Sequence, residues 1–292
     1  MSDEVVGGLN PSAMGAVELG TLLALMVHGG SMTQFVTYFK RYQDDPFGMR
    51  LTIAAIAFAS LAHVICIMSA LYNITISKLD KPTQPFALPV MYPIALFFSS
   101  AIHFLVQITY CYRIYKFSKN YVVPIICFLA AGYGLVATTI FAGGYPLTTF
   151  QDQLRYQYSL FWVITSVFVN TSVLDVLIAG SMCWYLIKGH QDALRRTARV
   201  MEKLVAWTIQ SGVITSILAI AIVATFVNDM PSNIWVGLTV FSTPVYPAAL
   251  LALLNERQQL SREVDKTVSL AFIEDDPTIT FAVPPPPPEN VV

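Results

Sequence analysis

Residues 49–74 read MRLTIAAIAFASLAHVICIMSALYNI, with Arg50 as the only charged side chain and His63 as the only imidazole. As a helix, such a stretch is roughly 39 Å long at 1.5 Å per residue, enough to cross a hydrocarbon core of about 30 Å with some tilt. Six further stretches read the same way: Ala13–Tyr38, Val90–Tyr115, Tyr121–Ala142, Tyr158–Leu186, Leu204–Val227 and Ile234–Leu254. Lipid offers no partner to open backbone groups, so each run has to be helical. A transmembrane barrel needs alternating segments of about 10 residues, and these runs are longer and continuous. The reading is an all-α, polytopic transmembrane bundle of seven helices. It divides into a short N-terminal tail (1–12), the bundle (13–257) and a disordered tail (258–292) that contains Pro284 to Pro288.

Composition agrees. Hydrophobic residues make up 55% of the chain and charged residues 12%, too few charges to cover a soluble domain of this size. The lipid bilayer is the first partner. A net charge of −1 gives no basis for a nucleic-acid partner. Cys66, Cys111, Cys127 and Cys183 all fall in or at the ends of apolar runs, without zinc-site spacing. Met1–Asn10 lacks the basic start of a cleaved leader, so the first helix is read as directing insertion itself.

The cations set the orientation. Lys40, Arg41 and Arg50 follow the first run, Arg113, Lys116 and Lys119 the third, Lys188, Arg195, Arg196, Arg199 and Lys203 the fifth, and Arg257, Arg262 and Lys266 the seventh. Only Lys78, Lys81 and Arg155 fall on the opposite side. The positive-inside rule then places the N-terminus outside and the C-terminus in the cytoplasm. On that side Arg195, Arg196 and Arg199 form a basic stretch suited to anionic lipid or to a cytoplasmic signalling protein. The five-proline run suits a domain that binds polyproline II helices.

Hydrolase, zinc-protease and phosphate-loop signatures are absent. No cofactor is indicated. The last run contains no lysine, so a retinal Schiff base has no amine to form on. Ala16, Gly20 and Ala24 recur every four residues in the first run, a face that lets helix backbones approach closely, and packing inside the bundle is its simplest use.

Polar residues inside the runs fall at helical spacing: His28, Ser31 and Gln34; Ser99, His103 and Gln107; Thr171, Ser172 and Asp175; Thr208, Ser211 and Thr215. Polar groups in lipid are costly, so these stripes are expected to face the bundle interior. His28, His63, His103 and Asp175 all lie within roughly 5 Å of the middle of their runs at 1.5 Å per residue. They define a candidate polar centre, with Gln107 one turn beyond His103. If His28, His63 and His103 converge, they offer zinc ligands, a proton relay or a ligand site; otherwise each glues neighbouring helices.

Leu174-Asp175-Val176-Leu177-Ile178-Ala179, Gly212-Val213-Ile214-Thr215-Ser216, Tyr246 and Leu253-Leu254-Asn255-Glu256-Arg257 carry a family resemblance, with weaker echoes at Gln34, Tyr38-Phe39, Asp45, His63, Leu71-Tyr72, Arg113-Ile114-Tyr115 and Ser118. On these residues the chain resembles a family of seven-helix membrane proteins from mushroom-forming fungi, whose C-terminal half is catalogued as a domain of unknown function. The resemblance implies the layout and a fungal source, and no activity. Pro247 stands where that family usually has a small polar residue.

Three functions fit. A receptor-like sensor with a polar site inside the bundle accounts for seven helices, an outside N-terminus and a basic third cytoplasmic loop, although there is no N-P-x-x-Y run and Tyr112-Arg113 only faintly echoes the D-R-Y pattern. A metal-dependent hydrolase would use the buried histidines. A small transporter or channel would line its path with the polar stripes.

Overall fold

The computed structural model of the protein describes residues 11–76, 88–146, 149–191 and 195–275. Within them every regular element is helical and no strand occurs. The α-helices are α1 (Pro11–Arg41), α2 (Phe47–Thr75), α3 (Met91–Ser118), α4 (Val122–Gly143), α5 (Phe150–Ser159), α6 (Phe161–Gln191), α7 (Arg195–Asn228) and α8 (Ile234–Asp275). Six of them, α1, α2, α3, α4, α6 and α8, contain segments long and apolar enough to cross a membrane, which makes the chain a multi-pass membrane protein by length and composition. The run Leu204–Val227 lies inside α7, where the described apolar helix is the shorter Gly212–Asn228.

Two boundaries differ from the sequence reading. The fifth apolar run starts at Tyr158, whereas the chain closes the separate helix α5 at Ser159 and opens α6 at Phe161. Gln151, Asp152, Gln153, Arg155 and Gln157 make α5 too polar for a span. Thr149 caps it, accepting from the Asp152 amide at 3.2 Å and donating to the Asp152 carboxylate at 2.6 Å. The tail also departs from expectation. The bundle unit ends at Asn255 and a second unit begins at Glu256, yet the backbone stays helical to Asp275 instead of losing structure at 258. Between Asn255 and Pro277 there is neither glycine nor proline, and Glu256, Arg257, Gln258, Gln259 and Leu260 are good helix formers. The proline run lies outside the described residues.

The exterior of the bundle is apolar, as a surface facing lipid would be: Trp162 is 80% exposed, Met26 74% and Phe58 70%. Inside, small residues bring helices together. A Cβ on Gly20 of α1 would collide with the Gly237 carbonyl of α8, and one on Gly237 with the Ala16 carbonyl. The small-residue face of the first run therefore packs within the bundle, as its spacing suggests.

Side-chain clasps tie each end. At the end carrying α5, Gln153 accepts from the Leu88 amide at 2.9 Å and donates to the carbonyls of Leu88 and Pro146 at 3.0 and 3.1 Å. Burial pushes the nearby Tyr145 phenol well above its ordinary pKa, against a hydrogen bond donated by Gln157 at 3.1 Å. At the far end Tyr38 donates to Asp45 at 2.9 Å, Tyr42 donates to the Asn255 carbonyl at 2.9 Å, and the Asn255 amide donates to the Gln34 carbonyl at 3.0 Å. Of these, Gln34, Tyr38, Asp45 and Asn255 are residues on which the family resemblance rests. They join α1 to the last turn of α8 within the bundle.

Candidate functional site

Helical spacing carries Ser99, His103 and Gln107 down one face of α3, and that face is turned inward. It borders a cavity of about 90 Å³ whose walls come from α3, α4, α6, α7 and α8. At about 10–15 Å³ of such volume per water, the space accommodates several water molecules, or a slender ligand. Apolar side chains make up most of the wall, among them Leu96, Phe141, Ile164 and Leu218. The polar groups are few: His103, Gln107, Asn170, Thr171, Thr239 and Tyr246 stand out. A mainly apolar lining with a handful of polar groups is the usual make-up of a small-molecule pocket.

Aromatic rings bound the cavity toward the α5 end. Trp235, 2% exposed, meets Phe226 edge-on at 5.2 Å between ring centroids, and Phe226 stacks on Phe161 at 5.5 Å. At the other end a smaller space of about 30 Å³ adjoins the cavity, and Gln107, Thr215 and Tyr246 line both. This second space holds Asp175. The Tyr246 hydroxyl donates to Oδ2 of Asp175 at 2.8 Å, and Thr215 takes part in the same cluster. One carboxyl thus links α6, α7 and α8. A buried carboxyl in lipid needs such partners, because an unpaired one costs several kcal/mol.

His103 lines the larger space and packs against a residue shared with the smaller one. Its ring lies 4.3 Å from the Tyr246 ring between centroids, tilted at 58°. Its Nε2 is buried and has no hydrogen-bond partner among the described residues. Buried polar atoms are nearly always paired, so an orphan on a cavity wall is a candidate contact for a ligand.

The other expected members sit elsewhere. His63, 3% exposed, lines a separate small space beside Ser99 and Thr243, whose hydroxyls are 2.8 Å apart. It lies within electrostatic reach of His103 and His28. His28 is buried on α1 and borders neither cavity space. So Gln107 lines both spaces, His103 only the larger and Asp175 only the smaller, while His63 lines a third space and His28 none of them. No group of three or more His, Cys, Asp or Glu side chains among the described residues is placed to hold a metal ion. The side chains of Arg195, Arg196 and Arg199 lie outside the described residues, on the first turns of α7.

Three contributors were hidden in the sequence. Tyr246 carries no charge and reads as part of an apolar run; its signal is a hydroxyl flanked by Pro244 and Pro247 inside a span. Thr243 pairs with Ser99 across 144 residues, and Asn170 donates to the Ala130 carbonyl at 3.0 Å, long-range relationships that spacing does not reveal.

Residues 171–259 match the model of a family of unknown function, DUF6534. The match holds Asp175, Thr215, Tyr246 and Asn255, and it encloses the stretch from Thr171 to Arg257 where the resemblance was strongest. Neither a curated protein nor a solved structure matches the chain.

Proposed function

We propose that this chain is a seven-helix, receptor-like membrane sensor that binds a small ligand in the cavity bordered by His103, Gln107 and Tyr246. The observation that carries the reading is the wall that this cavity shares with the Asp175–Tyr246–Thr215 cluster, formed by Thr215 and Tyr246. A molecule in the cavity touches Tyr246, and Tyr246 holds together α6 and α8, so occupancy and helix arrangement share one hydrogen bond. Two prolines beside Tyr246 each remove a backbone donor from α8, which makes that helix easier to bend there.

In this reading α7 is the seventh span, the N-terminus faces outside and the basic start of α7, with Arg195, Arg196 and Arg199, faces the cytoplasm. The uneven placement of cations supports it. A cytoplasmic signalling protein would dock on the basic stretch, and a polyproline-binding domain on the proline run. The hydrolase alternative lacks a set of metal ligands among the described residues. A transport path has only the discontinuous polar stripe of the cavity to draw on.

The test is co-purification. Wild type and two cavity-filled variants, Thr138→Phe and Ala219→Phe, are purified in native lipid discs and their extracts compared by mass spectrometry. A species that is stoichiometric with wild type and depleted in both variants supports the proposal. Identical extracts from all three proteins contradict it.

A further inference from the structure

Outside the bundle, α3 and α4 form an apolar groove of about 430 Å³ that faces the lipid side, with Phe97, Phe104, Leu135 and Ile140 in its walls. Its hydroxyl-bearing residue, Thr139, donates to the Leu135 carbonyl at 2.7 Å and so presents a methyl group to the groove. Phe104 and Leu135 line this groove and also line the interior cavity. Two side chains therefore separate the cavity from bilayer. His103, with its orphaned Nε2, immediately precedes Phe104 on α3.

We infer that the cavity takes a neutral single-chain amphiphile with a hydroxyl head, dissolved in the membrane, and that the molecule enters sideways between α3 and α4 past Phe104 and Leu135. The inference rests on the proposed reading of the cavity as a ligand site.

Three observations set the ligand class. First, the interior space is slender, about 90 Å³, against about 430 Å³ in the groove, so a head with a short length of chain fits inside while the rest of the chain lies outside. Second, a hydroxyl both donates and accepts, so it satisfies Nε2 of His103 in either tautomer. Third, no lysine or arginine among the described residues lines the cavity, so an anionic head would be left without a counter-charge. Asp175 lines the smaller space and not this cavity, whose described lining holds no carboxylate, so a cationic head would lack a counter-charge as well.

Trp235 provides the readout, because it borders the cavity and at 2% exposure is shielded from lipid. Trp162, Trp184 and Trp207 are replaced by Phe, and the protein is placed in phosphatidylcholine discs. The probe is a long-chain alcohol brominated near its head. Saturable quenching of Trp235, relieved by the unbrominated alcohol, is the expected result. His103→Phe raises the half-saturating concentration about tenfold, the value of one hydrogen bond, while His103→Asn restores part of the affinity. Leu135→Phe slows the onset of quenching severalfold, a larger change than any in half-saturation, because a narrowed entrance slows entry and exit alike. Circular dichroism and gel filtration verify that each variant is folded.

Equal affinity for a brominated carboxylate or amine, or unchanged half-saturation in folded His103→Phe, overturns the ligand class. Unaltered onset in Leu135→Phe, and in a second entrance variant Phe104→Leu, overturns the route. If no probe quenches Trp235 while wild type still carries a species lost from the filled variants, this inference falls and the ligand site stands. If that species is missing as well, both fall.

Discussion

The Tyr246 hydroxyl and Oδ2 of Asp175 are 2.8 Å apart, joined by a hydrogen bond that runs from α8 to α6 through the bundle interior. Tyr246→Phe removes the donor and keeps the ring against His103. A buried acceptor left short of a partner costs about 1–3 kcal/mol, so the thermal midpoint should fall by several degrees at about 2–4 °C per kcal/mol. Asp175→Asn keeps an acceptor oxygen at that position and should cost less. Thermal unfolding in a mild detergent measures both. Equal stability of Tyr246→Phe and wild type would show that the bond contributes nothing.

The contact between Gly20 and Gly237 makes a sharper demand. A methyl group at either position meets a backbone carbonyl of the opposite helix, and backbone cannot move aside as a side chain can. Gly20→Ala and Gly237→Ala should each destabilise by about 2 kcal/mol or more through overpacking. Gly132→Ala is the control, because nothing lies within 4 Å of its added carbon, and replacing a helical glycine there should be neutral or stabilising. Similar loss in all three variants would mean that helix propensity, not close approach, sets the effect.

Gln153 acts as a single-residue clasp between the start of α3 and the segment after α4. Gln153→Ala leaves the Leu88 amide without its partner. Exchange of the Leu88 amide with deuterium should accelerate by about tenfold or more, corresponding to 1.4 kcal/mol of lost protection. The exchange of Asn255 at the far end should stay as it is. Uniform acceleration across the bundle would instead indicate global destabilisation.

Topology is open to direct labelling. Ser159 at the end of α5 and Asp44 between α1 and α2 are both exposed. In a background without Cys66, Cys111, Cys127 and Cys183, a membrane-impermeant maleimide added to intact cells should label Ser159→Cys and spare Asp44→Cys. The reverse pattern would invert the orientation drawn from the cations.

Much of this architecture was legible because lipid imposes strong constraints on sequence. A span must be long, apolar and helical, so α1, α2, α3, α4 and α8 start within two residues of the boundaries their apolar runs suggest. Polar α5 was invisible to that rule, since Tyr158 and Leu160 blend into the hydrophobic run that follows. Helical spacing likewise showed that Ser99, His103 and Gln107 share a face. It could not say which helix each face meets. The depth coincidence of His28, His63, His103 and Asp175 is a property of their positions along the runs, whereas rotation about each helix axis decides convergence: His63 lies within electrostatic reach of the other two histidines but lines a separate space, and His28 borders neither cavity space. Tyr246 stood out only through the family resemblance and not as a site residue, because a tyrosine in an apolar run resembles filler until its hydroxyl is seen against Asp175.

The most direct test of the ligand site is a cryo-electron-microscopy map of the full chain in native lipid discs, at a resolution that shows side chains. The account predicts elongated non-protein density between Trp235 and His103, reaching the His103 ring and passing between Phe104 and Leu135. Side chains of α4 and α6 closed against α3, with no space beside His103 and no such density, would contradict it.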